Sequence, residues 1–253
     1  MKTIARKTFG TVAVLSSAFL GANVAAATIS FSDDTFSNGD YTQKIYQSSP
    51  GIVTSAGQTP TSGNPAPAAW VTYDTNVSPF TILVGLLRPS FSYSPASAGA
   101  LSSISVSLDR YFAPVTNGND TPVTDLSPRT LIQQGGQYFQ ASNPQNGTRA
   151  AWVALTASGL TAADFVLYDF TTNTSTPSVH PDFTQDIDAF GFAMRATGAA
   201  CNFVAGPCQS SGTVGTDNWF LTLTTVPEPG SSLALLALAG LAAVVSRRRM
   251  NRA

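Results

Sequence analysis

Apolar and polar positions alternate in short runs through the middle of this 253-residue chain. Ile104, Val106 and Leu108 are separated by Ser105, Ser107 and Asp109, and Trp219, Leu221 and Leu223 alternate with Phe220, Thr222 and Thr224. A period of two puts one set on a buried face and the other toward solvent, so both runs predict half-buried strands. Thr28 to Phe31, Ala69 to Tyr73, Thr81 to Leu87, Ala151 to Leu155, Phe165 to Tyr168 and Phe190 to Met194 are further predicted strands. Gly57 to Ala68 and Thr116 to Pro128 carry turn-forming residues and read as loops. Leu160 to Asp164 predicts one short turn of helix. About eight short strands without sustained helical periodicity predict an all-β antiparallel sandwich.

The two ends break this pattern. Lys2, Arg6 and Lys7 precede an apolar stretch from Thr11 to Val24, and Ala25-Ala26-Ala27 supplies small residues for cleavage. Residues 1–27 therefore read as a secretory signal peptide, cut between Ala27 and Thr28. At the other end Val226-Pro227-Glu228-Pro229-Gly230 precedes the uncharged run Leu233 to Val245, and Arg247, Arg248, Arg249 and Arg252 follow. Glu228 is the only glutamate in the chain. The prolines on either side hold it in a stiff extended peptide that an enzyme can grip. The 13-residue run would span roughly 20 Å as a helix, short for a ~30 Å hydrocarbon core. Extending it over residues 231–246, with the arginines snorkelling to a cytoplasmic interface, narrows that gap. The alternative is a buried core helix ending in a basic patch, but nothing else in the chain is helical enough to pack against it.

This three-part tail resembles the PEP-CTERM sorting signal of Gram-negative bacteria. The resemblance implies recognition by a membrane-bound exosortase, transient membrane anchoring, cleavage near the motif, and delivery to the cell surface or an exopolysaccharide matrix. The middle segment carries a second resemblance, in Trp152, Leu160-Thr-Ala-Ala-Asp-Phe165, His180-Pro-Asp-Phe183, Phe190-Gly-Phe192 and Asp217-Asn-Trp219. These blocks are similar to those of PEP-CTERM proteins with jelly-roll, lectin-like ectodomains. Three segments follow: a signal peptide at 1–27, a β-sandwich ectodomain at 28–225, and a sorting signal at 226–253.

Charge sharpens the reading of the ectodomain. Six basic residues against 13 Asp give residues 28–225 a formal charge of −7, hidden in the whole-chain value of −1 by the basic ends. Such a domain repels nucleic acid and anionic headgroups, whereas neutral polysaccharide or a cation suits it. Cys201 and Cys208, the only cysteines, are separated by six residues containing a Gly-Pro turn. In an oxidising compartment they predict a local disulfide, stabilising by ~2 kcal/mol, in preference to a metal pair.

Candidate chemistry is sparse. Asp33 and Asp34 follow the first strand, and Asp217 and Asn218 precede the last. If the terminal strands pair, as in jelly rolls, four oxygen-bearing side chains converge where calcium would fit. The same residues also serve as ordinary turn formers. His180 is the only histidine, with Asp182, Asp186 and Asp188 close in sequence. A glycosidase would need two of these aspartates to bracket a sugar, while a structural hydrogen-bonding role for His180 is the commoner outcome. No Gly-x-Ser-x-Gly elbow, HExxH or P-loop is present, so the expectation is a non-enzymatic protein. Trp70, Trp152, Trp219 and seven tyrosines offer faces for core packing or for pyranose rings. In Tyr111-Phe112 and Tyr138-Phe139 the period of two turns one ring outward.

Overall fold

A computed structural model describes residues 26–76, 79–112, 123–125, 128–141, 151–198 and 210–226. They belong to one compact unit, Ala26–Pro227. Among the described residues there are fourteen strands. They are β1 (Thr28–Asp33), β2 (Thr42–Gln47), β3 (Ile52–Thr59), β4 (Ala68–Thr75), β5 (Phe80–Arg88), β6 (Leu101–Phe112) and β7 (Val123–Asp125). The second half gives β8 (Arg129–Gln134), β9 (Gln137–Ala141), β10 (Val153–Leu160), β11 (Phe165–Asp169), β12 (Thr174–Thr176), β13 (Ala189–Gly198) and β14 (Ser210–Thr225). Every pairing is antiparallel.

The strands form two sheets. Sheet I runs β10-β6-β14-β4-β3, with β1 also on β14; sheet II runs β12-β11-β9-β8-β13-β5-β2, with β7 also on β13. The inner faces meet in one core. Val71, Ile104, Val106 and Leu221 of sheet I pack with Val84, Leu86, Ile132, Phe190 and Phe192 of sheet II. Each fully buried side chain of this size contributes roughly 1.5–3 kcal/mol. The fold is therefore an all-β antiparallel sandwich, as the alternation predicts.

All eight predicted strands overlap observed ones. The strand predicted from Ala151 begins later, at Val153. Six were missed. β2, β3 and β12 lie at sheet edges and are polar, so alternation is weak there. The β8–β9 hairpin did carry a signal: Gly135 and Gly136, both at positive φ, form the two-residue turn that such hairpins favour. The loop predicted from Gly57 is shorter, because β3 continues to Thr59. The helical turn appears as a 3₁₀ turn over Ala162–Asp164, closed by a Thr161/Asp164 capping box.

β14 organises the candidate site. It is 16 residues long and pairs with β6 from Val214 to Thr225. On its other edge β4 occupies Ser210 to Thr216 and β1 occupies Trp219 to Thr224. Between them the register shifts at Asp217–Phe220, and Asn218 adopts φ 50°. Asn tolerates that left-handed conformation better than most residues. This bulge resets the strand's parity, so Thr216 and Trp219 both face inward while Asp217 faces outward.

Candidate functional site

The terminal strands lie side by side: β1 and β14 pair with Asp33 opposite Trp219. The four residues proposed as calcium ligands nevertheless divide into two groups. Asp33 points inward and is 3 % exposed. Its Oδ1 accepts from Thr35 N (2.8 Å), Thr35 Oγ1 (2.9 Å) and Phe36 N (3.0 Å). Its Oδ2 accepts from Tyr41 Oη at 2.5 Å and pairs with the Arg88 guanidinium. Arg88 belongs to sheet II, so the ion pair bridges the sheets, and Arg88 also reaches Asp40 at 3.0 Å. Burial by itself would raise the Asp33 carboxyl. The hydrogen bonds from Tyr41, Thr35 and Phe36 outweigh it and hold the group below the usual carboxylate range. A guanidinium thus occupies the place a metal would take.

Asp217, fully buried, has no such cation among the described residues. Its Oδ1 accepts from Asn218 N at 2.7 Å and its Oδ2 from Asn64 N. Asp109 of β6 lies opposite it in the register. The Asp109 carboxylate accepts from Asn218 Nδ2 at 2.8 Å and Asn64 Nδ2 at 3.1 Å, and Asn218 Nδ2 also meets Asn64 O at 2.5 Å. Burial raises the Asp217 carboxyl, and the charges of Asp109 and Asp34 add to that, despite the two backbone N–H groups. Asp34 therefore belongs with Asp217 electrostatically, and Asp33 does not. The sequence offered no sign of Asp109 or Asn64, because only strand pairing and the 60–67 loop bring them in. Among the described residues no three His, Cys, Asp or Glu side chains are grouped closely enough to ligate one metal ion.

Beside this polar group, on the outer face of sheet I, three aromatic rings meet. Tyr111 lies opposite Gly215 on β14, which lies opposite Trp70 on β4, while Trp152 immediately precedes β10. Ring centroids are 5.7 Å apart for Trp70–Tyr111, 6.0 Å for Trp70–Trp152 and 5.5 Å for Tyr111–Trp152. All three side chains are half-buried. Gly215 makes room for them: a Cβ there would stand 3.0 Å from Trp152 and 3.2 Å from Trp70. Trp70 Nε1 donates to Ser62 O at 3.4 Å. Trp219, by contrast, is a core residue at 1 % exposure, stacked on Phe91. In the two tyrosine–phenylalanine pairs, Phe112 and Phe139 face the core and the tyrosines face out.

The lone histidine and its neighbouring aspartates also share a place. His180, Asp182, Asp186 and Asp188 line an open groove of about 480 Å³ with Gln134 and Phe139. His180 Nδ1 donates to the Phe165 carbonyl at 2.6 Å, which fixes its tautomer. Asp182 Oδ1 accepts from Thr184 Oγ1 (2.7 Å) and N (2.9 Å), and these bonds hold its carboxyl below the usual carboxylate range. Asp186 accepts from Ser94 Oγ at 2.7 Å. Gln134 Nε2 ties the loop by donating to the carbonyls of Asp182 and Asp186. These bonds tie the loop to Ser94, Gln134 and Phe165.

Ala27 and Thr28, the expected cleavage pair, sit at the start of β1. The Ala27 carbonyl accepts from Thr225 N at 2.9 Å. Val226 is 45 % exposed and donates its N–H to Ala100 O at 2.7 Å. Pro227, Glu228, Pro229, Arg247, Arg248, Arg249, Arg252, Cys201 and Cys208 lie outside the described residues, as does the apolar segment 231–246. Among the described residues no helix is long and apolar enough to cross a membrane.

Residues 225–249 match the model of the PEP-CTERM protein-sorting motif. The chain carries an exosortase sorting signal. A protein with this PEP-CTERM motif is secreted and processed by an exosortase, and the match begins at Thr225, the last residue of β14. No curated protein sequence matches the chain. Among solved structures, peanut lectin with a 9-mer peptide is 14 % identical, over 79 % of this chain and 100 % of the lectin, at a TM-score of 0.36. Winged bean acidic lectin complexed with methyl-α-D-galactose is 12 % identical, over 78 % of this chain and 98 % of the lectin, at a TM-score of 0.37. The sandwich assignment rests on this chain's own strand register.

Proposed function

We propose that this protein is an exported component of the cell surface or exopolysaccharide matrix of a Gram-negative bacterium, with a non-enzymatic structural and adhesive role. The observation that carries this reading is the direct junction between sorting motif and sandwich, because the motif opens inside the final strand. The exosortase would therefore act just beyond the last strand of the sandwich. The protein's partners are the secretion machinery, the exosortase, the membrane in transit through residues 231–246, and polysaccharide at the destination. Nucleic acid is disfavoured by the −7 charge of residues 28–225. An Asp-based glycoside hydrolase is the least supported reading, because the hydrogen bonds from Thr184 hold the Asp182 carboxyl below the usual carboxylate range, which disfavours it as the general acid. Intact mass and fractionation of the protein from its host test the proposal. The expected mature form starts at Thr28, lacks the arginine tail and fractionates with the matrix. A form that keeps Arg247 to Ala253 and stays in the inner membrane would contradict it.

A calcium-dependent carbohydrate-binding module is the second reading, favoured by the uncompensated pair Asp109 and Asp217. The donor set would be those two carboxylates with the amide or carbonyl oxygens of Asn218 and Asn64, without Asp33 or Asp34. These are hard oxygen donors of the kind calcium takes. Melting the 28–225 domain with and without calcium, in wild type and Asp217→Ala, tests it. A rise in Tm that the substitution abolishes supports the site, and no shift at millimolar calcium removes it.

A further inference from the structure

We infer that the aromatic triad Trp70–Tyr111–Trp152, with the half-buried Asp109 carboxylate and the exposed Asn218 amide beside it, is the binding site for an uncharged polysaccharide chain. The inference rests on the adhesive reading above and gives it an address. The three rings stand on the outer face of sheet I, on strands β4 and β6 and at the start of β10, over a glycine that no side chain obstructs. They are half-buried in one another yet keep solvent-facing edges. Trp152 Nε1 and Tyr111 Oη have no hydrogen-bond partner among the described residues. Asp109 and Asp217 lie two residues further along the same strands, roughly 7 Å away.

That combination selects a sugar. A pyranose ring offers an apolar C–H face to an aromatic ring, and a rim of hydroxyls that donate well to carboxylates. The positions next to the rings on this face are polar, and its exposed apolar side chains, Val53 and Phe220, lie farther along β3 and β14. Ser55, Thr72, Ser107 and Thr213 flank the rings on neighbouring strands, where a protein-docking surface would surround its aromatic anchors with apolar groups. The negative charge of the domain, concentrated here by Asp109 and Asp217, repels uronate-rich or sulfated chains and leaves neutral ones.

The test is affinity electrophoresis and calorimetry of the 28–225 domain against neutral glucans, mannans and galactans, with alginate as a polyanion. The variants are Trp70→Ala, Trp152→Ala and Gly215→Val; the last displaces the rings without deleting them. His180→Ala, in the groove across the molecule's other sheet, is the control. Far-UV circular dichroism and Tm establish that each variant folds. The expected result is binding to at least one neutral polymer, weakened at least about tenfold by each tryptophan substitution and by Gly215→Val, and unchanged by His180→Ala. Folded tryptophan variants that bind as well as wild type would overturn the site while leaving the adhesive reading intact. Loss only in His180→Ala would move the site to the groove. Binding of alginate but no neutral polymer would overturn the ligand class. Self-association of wild type, abolished by Trp70→Ala, would make the occupant a second copy. No binding to any polysaccharide, including the host's own matrix, would sink the adhesive reading with it.

Discussion

The outer faces of the two sheets are built differently, and the difference locates the working surface. The middle of sheet II is apolar on both sides. Along β5 the side chains of Ile82, Val84 and Leu86 enter the inter-sheet core, while Leu83 and Leu87 enter a second cluster with Leu131, Tyr168, Phe170, Ala189 and Ala193. Phe170 closes that cluster over Gly85, where a Cβ would come within 2.7 Å of its ring. A strand buried on both faces reads as a continuous apolar run, which explains Ile82-Leu83-Val84. Sheet I has no such cover. Its outer face carries three half-exposed rings and a ring of carboxylates and amides, in a protein that spends its apolar residues freely elsewhere. Aromatic residues left out of two available cores are better explained by a ligand than by packing.

Breaking the apolar side has the largest expected effect. Phe170→Ala empties a buried ring position and is expected to lower stability by about 3–5 kcal/mol without altering polysaccharide affinity, as urea unfolding and the binding assay would show. A comparable loss of affinity with no loss of stability would reverse the assignment of the two faces.

The two buried aspartates give the next test. Asp33→Asn leaves the Arg88 guanidinium with Asp40 as its one carboxylate partner among the described residues and is expected to cost about 2–4 kcal/mol. Asp217→Asn keeps an acceptor for Asn64 or Asn218 and removes repulsion from Asp109 and Asp34. In chelator it is expected to change stability by less than about 1 kcal/mol. Equal losses at the two positions would mean that Asp217 has a counter-charge after all.

Acid titration separates the same pair by sign. The Asp33 carboxyl is lowered in the fold, so its contribution is present above the unfolded value of 3.8 and is lost as pH falls through the lower folded value. The acid limb of wild-type stability should therefore steepen below about pH 4, and Asp33→Asn should flatten it. Asp217, raised in the fold, acts in the opposite direction and gains stability on acidification. Chemical denaturation from pH 2 to 7 reads both slopes. The smallest effect is expected from Trp152→Ala, about 1–2 kcal/mol of stability for a half-buried ring. Its main consequence should be lost binding.

The strands that face a core were legible in the sequence because burial forces alternation, as at Ile104-Val106-Leu108. The edge strands β2, β3 and β12 were not, because few of their side chains reach a core: Ile52 and Ala56 of β3 and Tyr46 of β2 do, and β12 is exposed throughout. The pairing of the first and last strands was correctly anticipated, and the sorting tail was readable as a linear motif. The candidate site was legible only in fragments. Asp217-Asn218 and the three aromatic residues stand in the sequence without a relation to one another. That relation comes from the bulge at Asn218, which turns Asp217 outward, and from β6 and the 60–67 loop, which bring Asp109 and Asn64. Asp33 misled for the same reason: adjacency to Asp34 hides that one side chain points in and the next points out.

The chain has three tryptophans, two in the triad and one in the core. Oxidative footprinting of tryptophan, with and without a bound neutral polysaccharide, therefore tests the central claim within one molecule. The account predicts that Trp70 and Trp152 react in the free domain and are protected on binding, while Trp219 stays unreactive in both. Bound polysaccharide that leaves Trp70 and Trp152 as reactive as before would contradict it.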